Sequence, residues 1–286
     1  MVAAWRSRAL TWLVAISLTG CASQVPYVGQ GPHPQITRGQ PIPPIDFLGN
    51  VFALPAKLIL FNWHVDDHVV SEKTESYLVR YIDLPQSVTD GTHFSLNEYA
   101  PGMALKRLIK NKKVAWPYRL LLGLPLTLIG DVLLPGRLFA GLLGGDSYNP
   151  FTDTVSIYSD HPAIALHEAG HSHDFNRRRY KGTYALIRLI PFVNLYQEFM
   201  ASDEAITHLI ETGDRTQEIA AYKILYPAYG TYVGGYFLIP GGSIVGAVGG
   251  HILGRMKAHS QLKHYREQDQ TLGVNAAPAQ TAPSNP

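Results

Sequence analysis

His167 and His171 stand four residues apart, with Glu168 beside the first, in the run His167-Glu168-Ala169-Gly170-His171. On a helix this spacing projects both imidazoles from one face, one turn apart, so two ring nitrogens can reach one ion at about 2.0–2.1 Å. Glu168 is rotated by about 100° from His167. Its carboxylate can therefore lie beside an ion without ligating it and take a proton from a water that the ion polarises. This is the H-E-x-x-H arrangement, which predicts zinc as the cofactor and Glu168 as the general base. The competing reading is an exposed helix with ordinary polar residues, and small Ala169 and Gly170 between the histidines argue against it.

A catalytic zinc takes three protein ligands and keeps one position open. The continuation H-x-x-G-x-x-H, found in one class of zinc peptidases, is excluded because Asp174 and Arg177 occupy those positions. His173 falls on another side of the helix, and Asp174 lies a turn further along. In 196–205, Glu198, Ala201, Ser202 and Ala205 share one helical face with Asn194. A carboxylate followed by small side chains can press closely against a first helix, so Glu198 is the expected third ligand and Glu204 the runner-up. The oxyanion donor stays open among His208 and several of the 16 tyrosines.

The elements that must position these groups are legible in outline. Residues 154–159 alternate, Val155 and Ile157 against Thr154, Ser156 and Tyr158, which predicts a half-buried edge strand. Asp160-His161-Pro162 then opens the site helix, with Arg177, Arg178 and Arg179 near its negative end and Gly182 as its stop. Upstream, Ser71 caps a helix through Tyr81, 103–112 forms a short basic helix, and 57–61 reads as a strand or buried segment. The apolar stretch 120–143 is broken by Pro125, Asp131, Pro135 and Arg137, which predicts two core helices or a pair lying on a membrane surface. Gly242, Gly246, Gly250 and Gly254 recur every four residues, one bare stripe of a glycine-rich helical hairpin with Gly230 and Gly234 on the other arm. The hairpin either covers the site or dips into lipid. The expected fold is mainly α with a small β element, an α+β zincin-like domain.

In order, Asn149-Pro150-Phe151, the strand 154–159, His167-Glu168-Ala169-Gly170-His171 and Glu198-Phe199-Met200-Ala201 resemble the gluzincin zinc peptidases, most closely the HtpX and CAAX-prenyl-protease type. The resemblance covers 149–205. It implies zinc held by His167, His171 and Glu198, Glu168 activating water, and a peptide aligned along the strand. Where that family places an Asp four residues after the ligand Glu, this sequence has Ser202, with Asp203 one further on.

The remaining sequence bounds the setting. The chain of 286 residues carries a net charge of +2 and no basic stripe, which sets nucleic acid aside. Arg6 and Arg8 precede the apolar run 9–18 and Leu18-Thr19-Gly20-Cys21, which resembles a bacterial lipobox. Cys21 is the only cysteine, so an internal disulfide is excluded and lipidation at Cys21 is expected. The predicted organisation is a signal peptide over 1–20, a Pro/Gly-rich linker over 21–46, a metallohydrolase domain over 47–265 and a disordered tail over 266–286. The expected address is lipid-anchored, at the outer membrane facing the periplasm, since Ala22 and Ser23 follow Cys21 without an Asp. Expected partners are a protein or peptide substrate and the membrane. Three function classes follow: an envelope zinc endopeptidase, a zinc hydrolase of another substrate, and an inactive scaffold.

Overall fold

The computed structural model describes residues 33–87, 89–140, 145–190, 192–237 and 239–272. The expected signal peptide, Cys21 and the far C-terminal tail lie outside them. Four short strands form one sheet: β1 (Ile36–Arg38), β2 (His93–Leu96), β3 (Ser147–Asn149) and β4 (Thr154–Ile157), in the order β1-β2-β4-β3. β1, β2 and β4 run parallel, whereas β3 pairs antiparallel with β4 across a tight connection. The strand before the site helix is therefore interior, and the expectation of an edge strand is corrected: β3 covers that edge. Val155 and Ile157 are fully buried and Thr154 and Tyr158 are buried as well, so of the face read as exposed only Ser156 stays half-buried.

Helices enclose the sheet. They are α1 (Pro43–Phe52), α2 (Leu54–Leu60), α3 (Glu72–Ile82), α4 (Pro101–Lys110), α5 (Gly136–Phe139), α6 (Pro162–Asn176), α7 (Lys181–Ile187), α8 (Val193–Glu211), α9 (Arg215–Gly235) and α10 (Gly242–Thr271). Between α4 and α5, residues 116–133 wind as short α turns interrupted by two π-helical stretches, Arg119–Gly123 and Leu128–Leu133. This resolves the apolar segment into an irregular helix with Leu121 and Leu133 exposed. Residues 57–61, read as a strand, belong to α2 and the left-handed Phe61 that ends it. Ser71 caps α3 by accepting from the Thr74 amide.

The core is built around α6. Phe94, Leu96, Val155 and Ile157 of the sheet pack with Leu78 and Tyr81 of α3 and with Ala165, Leu166 and Ala169 of α6. Every residue of α6 from Pro162 to His173 is buried, so it is a central helix without a solvent face. It stops at Asn176, earlier than the expected stop, and Gly182 sits inside α7. Gly182 packs there against the Tyr118 ring.

α9 and α10 form the glycine-rich hairpin, with 21 and 30 residues. A Cβ on Gly246 would lie 2.0 Å from the Gly230 carbonyl oxygen, so the backbones touch along this seam. No described helix is long and apolar enough to cross a membrane. The folded body also exceeds its expected limits. β1 and the start of α1 fall within the stretch read as linker, and α10 continues through Thr271 into the stretch read as tail.

Candidate metal centre

The site begins with the cap of α6. His161 lies in extended backbone, and its Nδ1 accepts from the Ala163 amide at 3.2 Å. Pro162 follows at the first helical position, where a missing N–H costs nothing. The helix then runs through the core, bringing His167 and His171 one turn apart with ring centroids 4.7 Å apart.

α8 supplies the third group, and the small residues explain how. An added Cβ on Gly170 would meet the Ala201 carbonyl oxygen at 3.1 Å and the Ala201 Cα at 3.2 Å. Ala201 and Ala205 are fully buried. This close approach sets Glu198, one turn earlier on α8, opposite the histidine pair. Its Oε2 lies 3.2 Å from His167 Nε2 and 3.3 Å from His171 Nε2. Among the described residues His167, His171 and Glu198 are the one group of three or more such side chains close enough to share an ion, and all three are buried.

The geometry fits a metal. Three donors each about 2.0–2.1 Å from one tetrahedral ion stand about 3.3–3.4 Å from one another. The observed nitrogen–oxygen separations match that value. The Glu168 carboxylate lies 4.0 Å from His167 Nε2, beside the donor cluster and outside ligand distance.

Supporting contacts orient the cluster. Ser202 Oγ is 3.1 Å from His167 Nδ1. With a proton on Nδ1 donated to that hydroxyl, the Nε2 lone pair faces the metal position. Arg188 donates to Glu198 Oε1 at 3.0 Å and to Asn194 Oδ1 at 3.0 Å, holding the carboxylate by its second oxygen. Arg188 went unremarked in the sequence because its place depends on how α7 turns back. Asp203 is exposed and takes no part, so Ser202 stands where the resembled family has its Asp.

Other readings sort cleanly. Glu204, the alternative ligand, accepts from the Tyr81 hydroxyl at 3.0 Å and lies 3.7 Å from His173, away from the cluster. Asp174 pairs with Arg178 and accepts from the Tyr184 hydroxyl. His208 packs edge-on against Tyr81 at 5.2 Å, outside the cavity described below, which removes it as an oxyanion donor.

Burial sets the charges. It pushes His171 down to about 4 despite Glu198, leaving a neutral imidazole suited to ligation. Burial also raises Glu168 to about 8, with His167 opposing and Glu198 and Asp146 adding to the rise. Burial alone would raise Glu198, but His171 and His167 outweigh it and hold that carboxyl well below the usual range.

His167, Glu168, Glu198 and Ser202 open onto a cavity of about 510 Å³. Ile59, Leu60, Val65, Ile164 and Leu225 give it aliphatic walls, and Tyr229, Tyr232, Asp66 and Asp146 line it as well. The Tyr232 hydroxyl is raised chiefly by the charge of Glu198 and then by burial. Tyr232 was not separable from the other tyrosines in sequence; only its position three residues after Tyr229 hinted at a shared helical face. No protein-family model matches the sequence, and no curated protein or solved structure matches the chain.

Proposed function

We propose that this chain is a zinc-dependent hydrolase, an endopeptidase acting on proteins of the cell envelope. One observation carries the reading: three buried donors converge, with Glu198 3.2 and 3.3 Å from the two histidines, while a second carboxyl, Glu168, stands 4.0 Å from His167 Nε2 and lines the same cavity. A scaffold that merely bound metal would need the donors but not that acid. His167, His171 and Glu198 would hold the ion, which when bound supplies a Lewis acid that polarises water and carbonyl oxygen. Glu168, which burial holds above the usual carboxylate range, would take and return the proton of the polarised water. Of the two tyrosines lining the cavity, Tyr232 feels the charges of both Glu198 and Glu168, and it is the hydroxyl proposed for the developing oxyanion. The walls are aliphatic, which suits side chains of a peptide.

The envelope address and the lipid anchor rest on the sequence pattern ending at Cys21, twelve residues before the first described residue. A linker of that length reaches about 40 Å when extended. The outward face of α10 supports a bilayer as neighbour: Val245, Ile252, Leu253 and Met256 are exposed there, followed by Lys257.

Metal analysis and peptide-library cleavage with the full chain test the function. Glu168→Gln should retain zinc and lose turnover, whereas His171→Ala should lose both. Equal cleavage by the wild type and both variants overturns the hydrolase reading.

A further inference from the structure

The cavity has polar lining beyond the metal centre. The loop after α2 folds over the end of β4: the His68 amide donates to the Tyr158 carbonyl at 3.0 Å, and the Asp160 amide to the His64 carbonyl at 2.9 Å. Within that loop Asp66 adopts a left-handed backbone, φ +43°. Its amide donates to Ser159 Oγ at 2.7 Å, and Ser159 in turn donates to Asp146. Asp146 is fully employed, accepting as well from the Tyr158 amide at 2.6 Å and the Ser159 amide at 3.0 Å.

Asp66 is not. It is 3% exposed, it lines the cavity, and its Oδ1 has no hydrogen-bond partner. The adjacent Lys57 ammonium donates instead to the Trp63 carbonyl at 2.6 Å. Gly145 closes over the carboxylate so tightly that a Cβ there would lie 2.8 Å from Oδ1. Among the described residues the cavity is lined by four carboxylates, Asp66, Asp146, Glu168 and Glu198, and by no Lys or Arg. A buried acceptor without a donor costs free energy unless a ligand supplies one.

From this geometry we infer that Asp66 forms a recognition subsite for a cationic group of the substrate, an ammonium or guanidinium, in the wall of the cavity onto which the metal centre opens. The inference names the substrate class for the hydrolase proposed above and rests on that reading only for the cleavage it would direct. A docked cation pairs with a carboxylate that no Lys or Arg of the lining neutralises, and it offsets the acidic lining. Burial, then the charge of Asp146, holds the Asp66 carboxyl well above the usual range in the empty cavity, and an incoming cation reverses that pressure.

The test is calorimetric binding to the metal-stripped full chain. The probes are acetyl-Ala-Lys-Ala-amide, its norleucine counterpart, and the norleucine peptide with a free amino terminus. A cationic peptide, by side chain or terminus, should bind about tenfold more tightly than the neutral one. Asp66→Asn should bring them to parity, with its thermal unfolding checked to show a folded chain. Gly145→Ala keeps the charge but displaces the carboxylate, and should narrow the preference. Parity in the wild type, or a preference that survives Asp66→Asn, overturns the subsite. So does saturable Mg²⁺ or Mn²⁺ binding to His171→Ala that Asp66→Asn abolishes, which would make the acidic lining a second metal site. Zinc content and cleavage report separately. Preference without zinc keeps the subsite and removes the hydrolase, and turnover without preference does the reverse.

Discussion

Ser202 holds the Nδ1 side of His167 where a carboxylate stands in the resembled peptidases. A neutral hydroxyl fixes the ring but adds less basicity to it than an anion would. Ser202→Ala should therefore weaken zinc binding by about 10-fold or more without unfolding the chain, read by competition with a chromogenic chelator. Tyr232→Phe should leave that affinity unchanged and lower kcat by about 100-fold, the cost of one oxyanion donor. Unaltered kcat would remove Tyr232 from the chemistry. The three converging groups were legible because helical spacing puts His167 and His171 on one face, and the small residues after Glu198 mark a face able to approach it. Asp66 and Arg188 were not, because each reaches the site through a turn whose path no local pattern encodes, and Tyr232 was one of several tyrosines along α9.

At the level of elements, the cap of α6 carries a pH dependence. Burial pushes His161 down to about 4, and its neutral Nδ1 accepts the Ala163 amide. Between pH 4 and about 6.5 the unfolded chain binds the extra proton, so stability contributed by this cap is complete above that window and is lost as pH falls through it. His161→Asn keeps an acceptor at the cap without the titration. Its loss of stability from pH 7 to 4 should be smaller than the wild type's by up to about 3 kcal/mol, measured by urea unfolding at each pH. The hairpin offers a paired test. Gly246→Ala drives a Cβ into the Gly230 carbonyl and should destabilise by about 1–3 kcal/mol, whereas Gly249→Ala meets nothing and should gain about 0.5–1 kcal/mol. The glycine stripe was readable as a contact seam because its four-residue period survives any tertiary context. The strand was misplaced in the sheet for the opposite reason: β3 is three residues long and leaves no periodic trace. α6 hid its central position in the same way, since a helix buried on every side has no polar face to reveal its phase.

Across the whole molecule, the apolar outward face of α10 gives way to a charged half from Lys257 onward. The chain without acyl groups should sediment with anionic lipid vesicles, and Val245→Asp with Val248→Asp should abolish that binding; retention by the double variant would remove the bilayer as its neighbour. The broad class, a mostly helical chain with one small sheet, followed from periodicity and caps. Its limits did not, because Ile36, Thr37 and Arg38 gain their strand only by pairing with β2.

The site draws its donors from two helices, with His171 and Glu198 separated by 27 positions. An ion shared between them would therefore be a cross-link as well as a reagent: it binds only where the two helices meet and so favours that folded arrangement over the unfolded chain. The stretch between His171 and Glu198 carries Arg177, Arg178, Arg179, Lys181 and Arg188, together with exposed Leu189 and Phe192. Chelation should free this segment first, so trypsin would cut the stripped protein between α6 and α8 while sparing the loaded form. Susceptibility to a protease thus becomes a gauge of metal occupancy, and loss of the ion would mark the chain for its own removal.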